Sequence, residues 1–313
     1  MLNLCQNISM IPKNLITNTA KEVGFDIVGV VPAMPLEEEA RRFGEWLAEG
    51  CHSTLSYLER NYEKRFDASK LVEGARSVVV CGVAYLSEYS RGYPEGWCTK
   101  IASYALNRDY HLTIKEMLTA LAERLKNLYP QLRFRAFTDS APLAEKSYAR
   151  RAGLGWIGRN SLLVTPEFGS MLLLGELVID EAVDEYDVPK EYVGCGECRR
   201  CIDACPNGAI SEERYIDTRH CISCRTIEPM ASGESIDLDG WIFGCDACQT
   251  MCPYNQRAKL HTNPNFDPIV DPLSLDSSAW LNMSEEEFSA MASTTPLTRA
   301  GLERIRGNIQ SEK

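Results

Sequence analysis

The residues best suited to chemistry are cysteines, of which there are thirteen, eight of them at metal-ligand spacings between Cys195 and Cys252. The first run is Cys195-x2-Cys198-x2-Cys201-x3-Cys205-Pro206. Three thiolates that close together can wrap one cubic cluster. The fourth, beyond a three-residue step and held by proline, reaches the neighbouring cluster in two-cluster ferredoxins. The second run is Cys221, then Cys245-x2-Cys248-x3-Cys252-Pro253. Exchanging the last cysteine of each run completes two sets of four. Cys195, Cys198, Cys201 and Cys252 make one set. Cys205, Cys221, Cys245 and Cys248 make the other, with the distant Cys221 replacing a tight first ligand. Cys224 is left over. Two [4Fe–4S] clusters, relaying single electrons, are the expectation. Structural zinc also uses Cys-x2-Cys pairs, but it does not require the doubled Cys-x3-Cys-Pro ending.

Other signals are less specific. Gly153-Leu-Gly155-Trp-Ile-Gly158 matches the dinucleotide fingerprint by letter, but that motif follows a strand and opens a helix. Here a helix ending near Ala152 precedes it, and strand or loop from Asn160 to Thr165 follows, so close backbone approach is the preferred reading. Asp109-x-His111 resembles the opening of a motif that supplies an axial histidine to cobalamin, but the expected glycine is Ile114. Helix capping or exposure is therefore expected at His111. Asp139 follows a predicted strand and precedes Leu143-Ala-Glu, which suits either a helix N-cap or a carboxylate facing a ligand. Arg150-Arg151, Arg199-Arg200, Arg299, Arg304 and Arg306 are solvated surface by default and together would form a phosphate-facing edge.

These residues need elements to place them. Asp26–Val31, Arg76–Val83, Arg133–Thr138 and Met171–Ile179 read as strands, the last carrying Glu176 inside an apolar run. Pro35–Glu49 reads as a helix with Phe43, Trp46 and Leu47 inward. His111–Leu128 reads as another, with Leu112, Met117, Leu118, Leu121, Leu125 and Leu128 as its stripe. Residues 1–190 thus form a mixed α/β unit, 191–258 a compact cysteine-rich insert, and 259–313 a Pro/Asn-rich linker with helices at Ser284–Ala292 and Leu297–Ile309. Ser284 ahead of Glu286 and Glu287 suits a helix start. The chain is 44% hydrophobic and 25% charged with a net charge of −11, values of a globular protein rather than a disordered one. An acidic balance argues against nonspecific coating of nucleic acid. No stretch approaches the roughly 20 apolar residues that span a bilayer. The first residues lack a basic segment and an apolar core, so no export signal is expected, and the cysteines read as cytoplasmic metal ligands.

A whole-chain resemblance joins these pieces. Asp139-Ser-Ala-Pro-Leu-Ala-Glu, Ala152-Gly-Leu-Gly-Trp-Ile-Gly-Arg-Asn-Ser and Thr165-Pro-Glu-Phe-Gly-Ser resemble the epoxyqueuosine reductase family. So do Arg108-Asp-Tyr-His, Glu63-Lys-Arg, the first cysteine run, Arg219-His-Cys-Ile-Ser and Gly244-Cys-Asp-Ala-Cys-Gln. The resemblance implies a nitroreductase-like α/β domain like that of reductive dehalogenases, and a cobalamin-dependent last step of queuosine synthesis at the tRNA wobble position. It implies cob(II)alamin bound base-off, with no protein histidine below cobalt. It implies Asp139 as proton donor, its pKa raised by desolvation against the corrin. The corrin contacts it implies are Arg65, Ala102, Asp139, Gly158, Asn160, Leu163, Ser223 and Asp246. The implied partners are tRNA carrying epoxyqueuosine and an electron donor of flavodoxin or ferredoxin type, with the chain a monomer off the membrane. Many members carry a C-terminal helical-repeat extension, whereas this sequence ends at Lys313. The competing functions are a reductive dehalogenase-like enzyme on a small molecule and a two-cluster electron carrier.

Overall fold

The computed structural model describes residues 10–228 and 236–311; Cys5 and the expectation about the first residues lie largely outside that range. In chain order the strands are β1 (Ile27–Pro32), β2 (Ser77–Ala84), β3 (Lys100–Ile101), β4 (Phe134–Phe137), β5 (Trp156–Ile157), β6 (Leu163–Val164), β7 (Leu172–Ile179) and β8 (Trp241–Phe243). The first helices are α1 (Lys13–Val23), α2 (Glu37–Ala48), α3 (Tyr62–Arg65), α4 (Tyr110–Lys126) and α5 (Glu145–Arg151). Short helices α6 (Arg200–Asp203), α7 (Ile222–Ile227), α8 (Ala247–Thr250) and α9 (Pro253–Arg257) occupy the cysteine-rich stretch. Helices α10 (Ser277–Asn282), α11 (Glu285–Ala292) and α12 (Gly301–Ser311) follow.

The centre is an antiparallel sheet in the order β1-β2-β7-β4. Its strands alternate faces with a period of two. Val79, Cys81 and Val83 of β2 join Ile16 and Ala20 of α1 and Ile114, Leu118 and Leu121 of α4 on one side. Val78 and Val80 join Tyr148 and Ala149 of α5, with Phe66, on the other. Helices on both faces make this an α/β fold. The expected stripe of α4 is corrected at its ends: Leu112 and Leu128 are 51% and 63% exposed, and the apolar face turns instead on Ile114, Met117, Leu118, Leu121, Ala122 and Leu125. Helical spacing explains this, since Ile114, Leu118, Leu121 and Leu125 follow one another at three or four residues and Leu112 does not.

Parallel pairing of β3 with β8 ties the first half of the chain to the cysteine-rich stretch. Ile101, Leu106, Ile242 and Phe243 lie under Trp280, Phe288, Leu302, Ile305 and Ile309 of the last three helices. Helix α11 begins with a capping box in which Ser284 and Glu287 satisfy each other's backbone N–H groups. The Pro/Asn-rich stretch is pinned down: Phe266 is fully buried, and the Asn263 side chain donates to Gly24 O at 3.2 Å. Among the described residues no helix is long and apolar enough to cross a membrane.

Candidate functional site

Asp139 sits just past the end of β4. The buried Thr138 anchors that end by donating its hydroxyl to Leu174 O at 2.9 Å. Asp139 then turns with φ +47°, a left-handed conformation that aspartate tolerates better than most side chains. Helix α5 starts only at Glu145, with no side-chain cap, so the capping role considered for Asp139 is not realised. Its carboxylate engages α4 instead. Tyr110 Oη donates to Asp139 Oδ2 at 2.6 Å, and His111 Nε2 lies 3.7 Å from the same oxygen.

The true cap of α4 is Asp109. It accepts from the His111 backbone N–H at 2.9 Å and holds His111 Nδ1 at 2.7 Å. The imidazole stacks on the Tyr110 ring, with centroids 4.1 Å apart. His111 is thus neither a simple cap nor merely exposed: it bridges two carboxylates. Hydrogen bonds to Asp109 and then Asp139 push its pKa up to about 9, so it is positively charged at neutral pH. Around Asp139, burial pushes the carboxyl upward, but hydrogen bonds from His111 and Tyr110 outweigh it and the net shift is downward. The expected rise concerns the carboxyl covered by the corrin; in the uncovered site these hydrogen bonds set the direction instead. With its side chain 65% exposed, Asp139 keeps its charge in the unliganded protein.

Two further acids lie behind this turn. The backbone N–H of Asp139 donates to Glu145 Oε1 at 2.5 Å. Glu176, fully buried on β7, faces the same side of the sheet and pairs across it with Phe137 and Val80. Sequence reasoning passed over Tyr110 and Glu145 and gave His111 no part beyond capping or exposure, although each lies in a run that carries the resemblance. The lone carboxylate in Met171–Ile179 was the other available signal, because a charge in a buried strand requires a partner.

The remaining corrin candidates fall into groups. Arg65, at the end of α3, is near enough to Tyr57 and Asp139 to feel their charges, and its buried Nε has no hydrogen-bond partner. Ala102 and Asp246 meet through Ser103, whose N–H and hydroxyl donate to Asp246 Oδ2 at 2.7 and 2.8 Å. Ser223 lies on α7. Gly158, Asn160 and Leu163 belong to the β5–β6 hairpin, where Gly158 N–H donates to Leu162 O at 2.8 Å. In that hairpin a Cβ on Gly155 would lie 2.2 Å from Val164 O, and one on Gly153 2.5 Å from Val188 O. The glycines serve close packing against neighbouring backbone, as expected, and not a phosphate loop.

The thiols gather as two groups. Cys195, Cys198, Cys201 and Cys252 line one recess with Val164 and Tyr254. Burial and then nearby thiols raise the pKa of Cys221, Cys245 and Cys248, with Cys205 among the neighbours that act on the first two. Backbone N–H groups point at sulfur: Ala209 at Cys205, Ser223 and Cys224 at Cys221, Ala247 at Cys245, Tyr254 and Asn255 at Cys252. Such donors favour thiolate and tune the potential of a bound cluster. Among the described residues no cysteine is joined in a disulfide.

The arginine pairs do not form a free phosphate edge. Arg150 pairs with Glu39, Arg199 with Glu212, Arg299 with Glu228 and Arg306 with Glu303, while Arg151 and Arg304 donate to carbonyls and Arg200 to Gln256. An acidic protein supplies each of them with a partner nearby.

A helix-flanked antiparallel sheet joined to thiols gathered four and four defines an iron–sulfur oxidoreductase. Family models agree: residues 65–140 match "Epoxyqueuosine reductase QueG, DUF1730", and residues 194–255 match a "4Fe-4S double cluster binding domain". An epoxyqueuosine reductase of Cyclobacterium marinum is 39% identical over 96% of this chain and 96% of its own. One from Pseudomonas aeruginosa is 36% identical over 94% of this chain and 82% of its own. The chain belongs to the epoxyqueuosine reductase family. A crystal structure of epoxyqueuosine reductase with an epoxyqueuosine-modified tRNA-Tyr stem loop superposes with TM-score 0.84, 28% identity, and coverage of 96% and 80% of the two chains. A Bacillus subtilis epoxyqueuosine reductase, described with its catalytic aspartate loop swung out of the active site, superposes equally well at 27% identity, with the same coverage. The reductive dehalogenase NpRdhA shares the fold at TM-score 0.50 and 17% identity, over 96% of this chain and 38% of its own.

Proposed function

We propose that the protein reduces the epoxide of epoxyqueuosine in tRNA, giving the cyclopentene of queuosine, with Asp139 as the acid that protonates the departing oxygen. The observation that carries this reading is the carboxylate on a left-handed turn, held by Tyr110 and facing the charged His111, in a chain of this family. The relative whose catalytic aspartate sits on a movable loop supports the assignment. Overall, both carbon–oxygen bonds of the epoxide break, two electrons and two protons are consumed, and the oxygen leaves as water.

Cys195, Cys198, Cys201 and Cys252 would hold one [4Fe–4S] cluster and Cys205, Cys221, Cys245 and Cys248 the other, fed by a flavodoxin- or ferredoxin-type donor. Bound cobalamin would supply the strongly reducing centre beside the substrate. The residues fit it. Arg65 has a buried, unpartnered Nε to offer an acceptor group, and Ala102, Gly158, Asn160, Leu163, Ser223 and Asp246 would be the further contacts. His111 is already committed to Asp109 and Asp139, so it would not be drawn on by a bound corrin.

Asp139 needs a proton before it can give one. His111 carries one at neutral pH, with Nε2 facing Asp139 Oδ2. Covering the exposed carboxylate with tRNA and corrin removes water, which raises its pKa and draws the proton across from His111. Tyr110 keeps the accepting oxygen in place. Anaerobic incubation with cobalamin, a low-potential reductant and epoxyqueuosine-containing tRNA, followed by nucleoside analysis, tests the function. Queuosine formed only when cobalamin is present is the expected result; unchanged epoxyqueuosine in the complete mixture would contradict it.

A further inference from the structure

The buried acid pair behind Asp139 has no part in the reaction as derived above. Glu176 lies at 0% exposure between Val80 and Phe137, and neither of its carboxyl oxygens meets an N–H or hydroxyl donor. Its carboxyl faces that of Glu145. Two carboxylates cannot share such a place unless one of them keeps a proton, which then forms a hydrogen bond between them. Glu145 in turn accepts the Asp139 backbone N–H at 2.5 Å, at the one residue of the turn held at positive φ.

We propose that Glu145, backed by Glu176, is a positioning residue that clamps the Asp139 turn in the geometry needed for proton transfer. Glu176 carries the shared proton and donates it to one oxygen of Glu145, leaving the other oxygen to hold the turn. Burial, then the neighbouring acids, raise both carboxyls: Glu145 to about 8, and Glu176 well above the usual range. Charged or titratable neighbours come from every packed element. They are Asp139 on the turn, Tyr110 and His111 on α4, Lys146 and Tyr148 on α5 itself, and Cys81 on β2. Among the described residues none of these donates a hydrogen bond to Glu176, so its carboxyl keeps the shared proton well past neutral pH. As pH rises through about 8, Glu145 loses its own proton, and the oxygen that accepts the Asp139 N–H becomes that of a carboxylate, which tightens the clamp.

The inference rests on Asp139 being the acid of the proposed reaction, but its first test needs no turnover. Hydrogen exchange of the amides from Asp139 to Ala144 is measured in the cofactor-free protein from pH 6 to 9, corrected for intrinsic rates. Wild type is expected to gain protection by about tenfold toward the alkaline end, the worth of a charge-assisted hydrogen bond. Glu176→Gln, which keeps a donor and cannot ionise, should keep that gain. Glu145→Ala should remove protection at every pH, and Glu145→Gln should restore it without the alkaline gain. In turnover, Glu145→Ala should lower kcat with KM for tRNA unchanged. Wild-type protection in Glu145→Ala, or an alkaline gain in Glu145→Gln, would overturn the proposal. Should Glu145→Ala fail to fold, the two glutamine variants decide alone. Loss of turnover in every protein with normal exchange behaviour would count against the function and not against the clamp.

Discussion

At the scale of single residues the site is a charged His111 set against the carboxylate of Asp139. His111 has a folded-state pKa of about 9 against an ordinary 6.5, so its ion pair with Asp139 is fully present below 6.5 and is lost as pH rises through about 9. Turnover is therefore expected to fall along an alkaline limb, and His111→Gln should remove that limb while lowering kcat by about 100-fold, the low end for a lost acid–base group. A pH–rate profile of both proteins checks this. Tyr110→Phe deletes one hydrogen bond to an ionised carboxylate, about 1.5–3 kcal/mol, and should raise the Asp139 pKa without dislodging the turn. Carbonyl-region infrared titration of the two proteins would show the shift, and an unmoved Asp139 band would refute the assignment.

At the scale of elements, glycine and a buried charge do most of the positioning. A methyl group on Gly155 would press on Val164 O at 2.2 Å, so Gly155→Ala should pry the β5–β6 hairpin apart at a cost of about 1–3 kcal/mol or more, read from the urea midpoint. The four strands of the central sheet and helices α2, α4 and α11 were legible in the sequence, because apolar period and capping residues are local signals. So was the reason to discount Gly153–Gly158 as a phosphate loop. Helix α10 was not legible: six residues give too few turns for a period to show. Asp139 was found by its place after a strand, yet its partners were not. Tyr110 and His111 come from a helix 29 and 28 positions earlier in the chain, and no spacing rule links them to the turn. The hydrogen bonds that hold the uncovered Asp139 carboxyl down were not legible for the same reason, since they are tertiary.

At the scale of the whole molecule, the cysteine runs and the expected exchange of their last members were readable in the sequence, because cluster ligands are set by short local spacings. The fold adds a recess that Cys195 and Cys252, 57 residues apart, share. The double variant Cys195→Ala/Cys252→Ala should lose one cluster, leaving about four irons per chain, whereas Cys195→Ala/Cys205→Ala should lose both. Iron analysis after anaerobic reconstitution reads the difference, and the reverse pattern, with Cys195→Ala/Cys205→Ala keeping about four irons and Cys195→Ala/Cys252→Ala none, would show the runs to be unexchanged. Beta-strand pairing of β3 with β8 and the shared core over Ile101 and Phe243 bind the cysteine-rich stretch to the sheet that carries Asp139. The cysteine-rich stretch and the Asp139 turn thus belong to one folded body.

The most direct measurement of that arrangement uses Asp139→Ala, reconstituted anaerobically with iron, sulfide and cobalamin and mixed with epoxyqueuosine-containing tRNA and reductant. The expected result is full iron and cobalt occupancy with no queuosine on nucleoside analysis, beside complete conversion by the wild-type chain. Queuosine formed by Asp139→Ala at the wild-type rate would contradict the central claim.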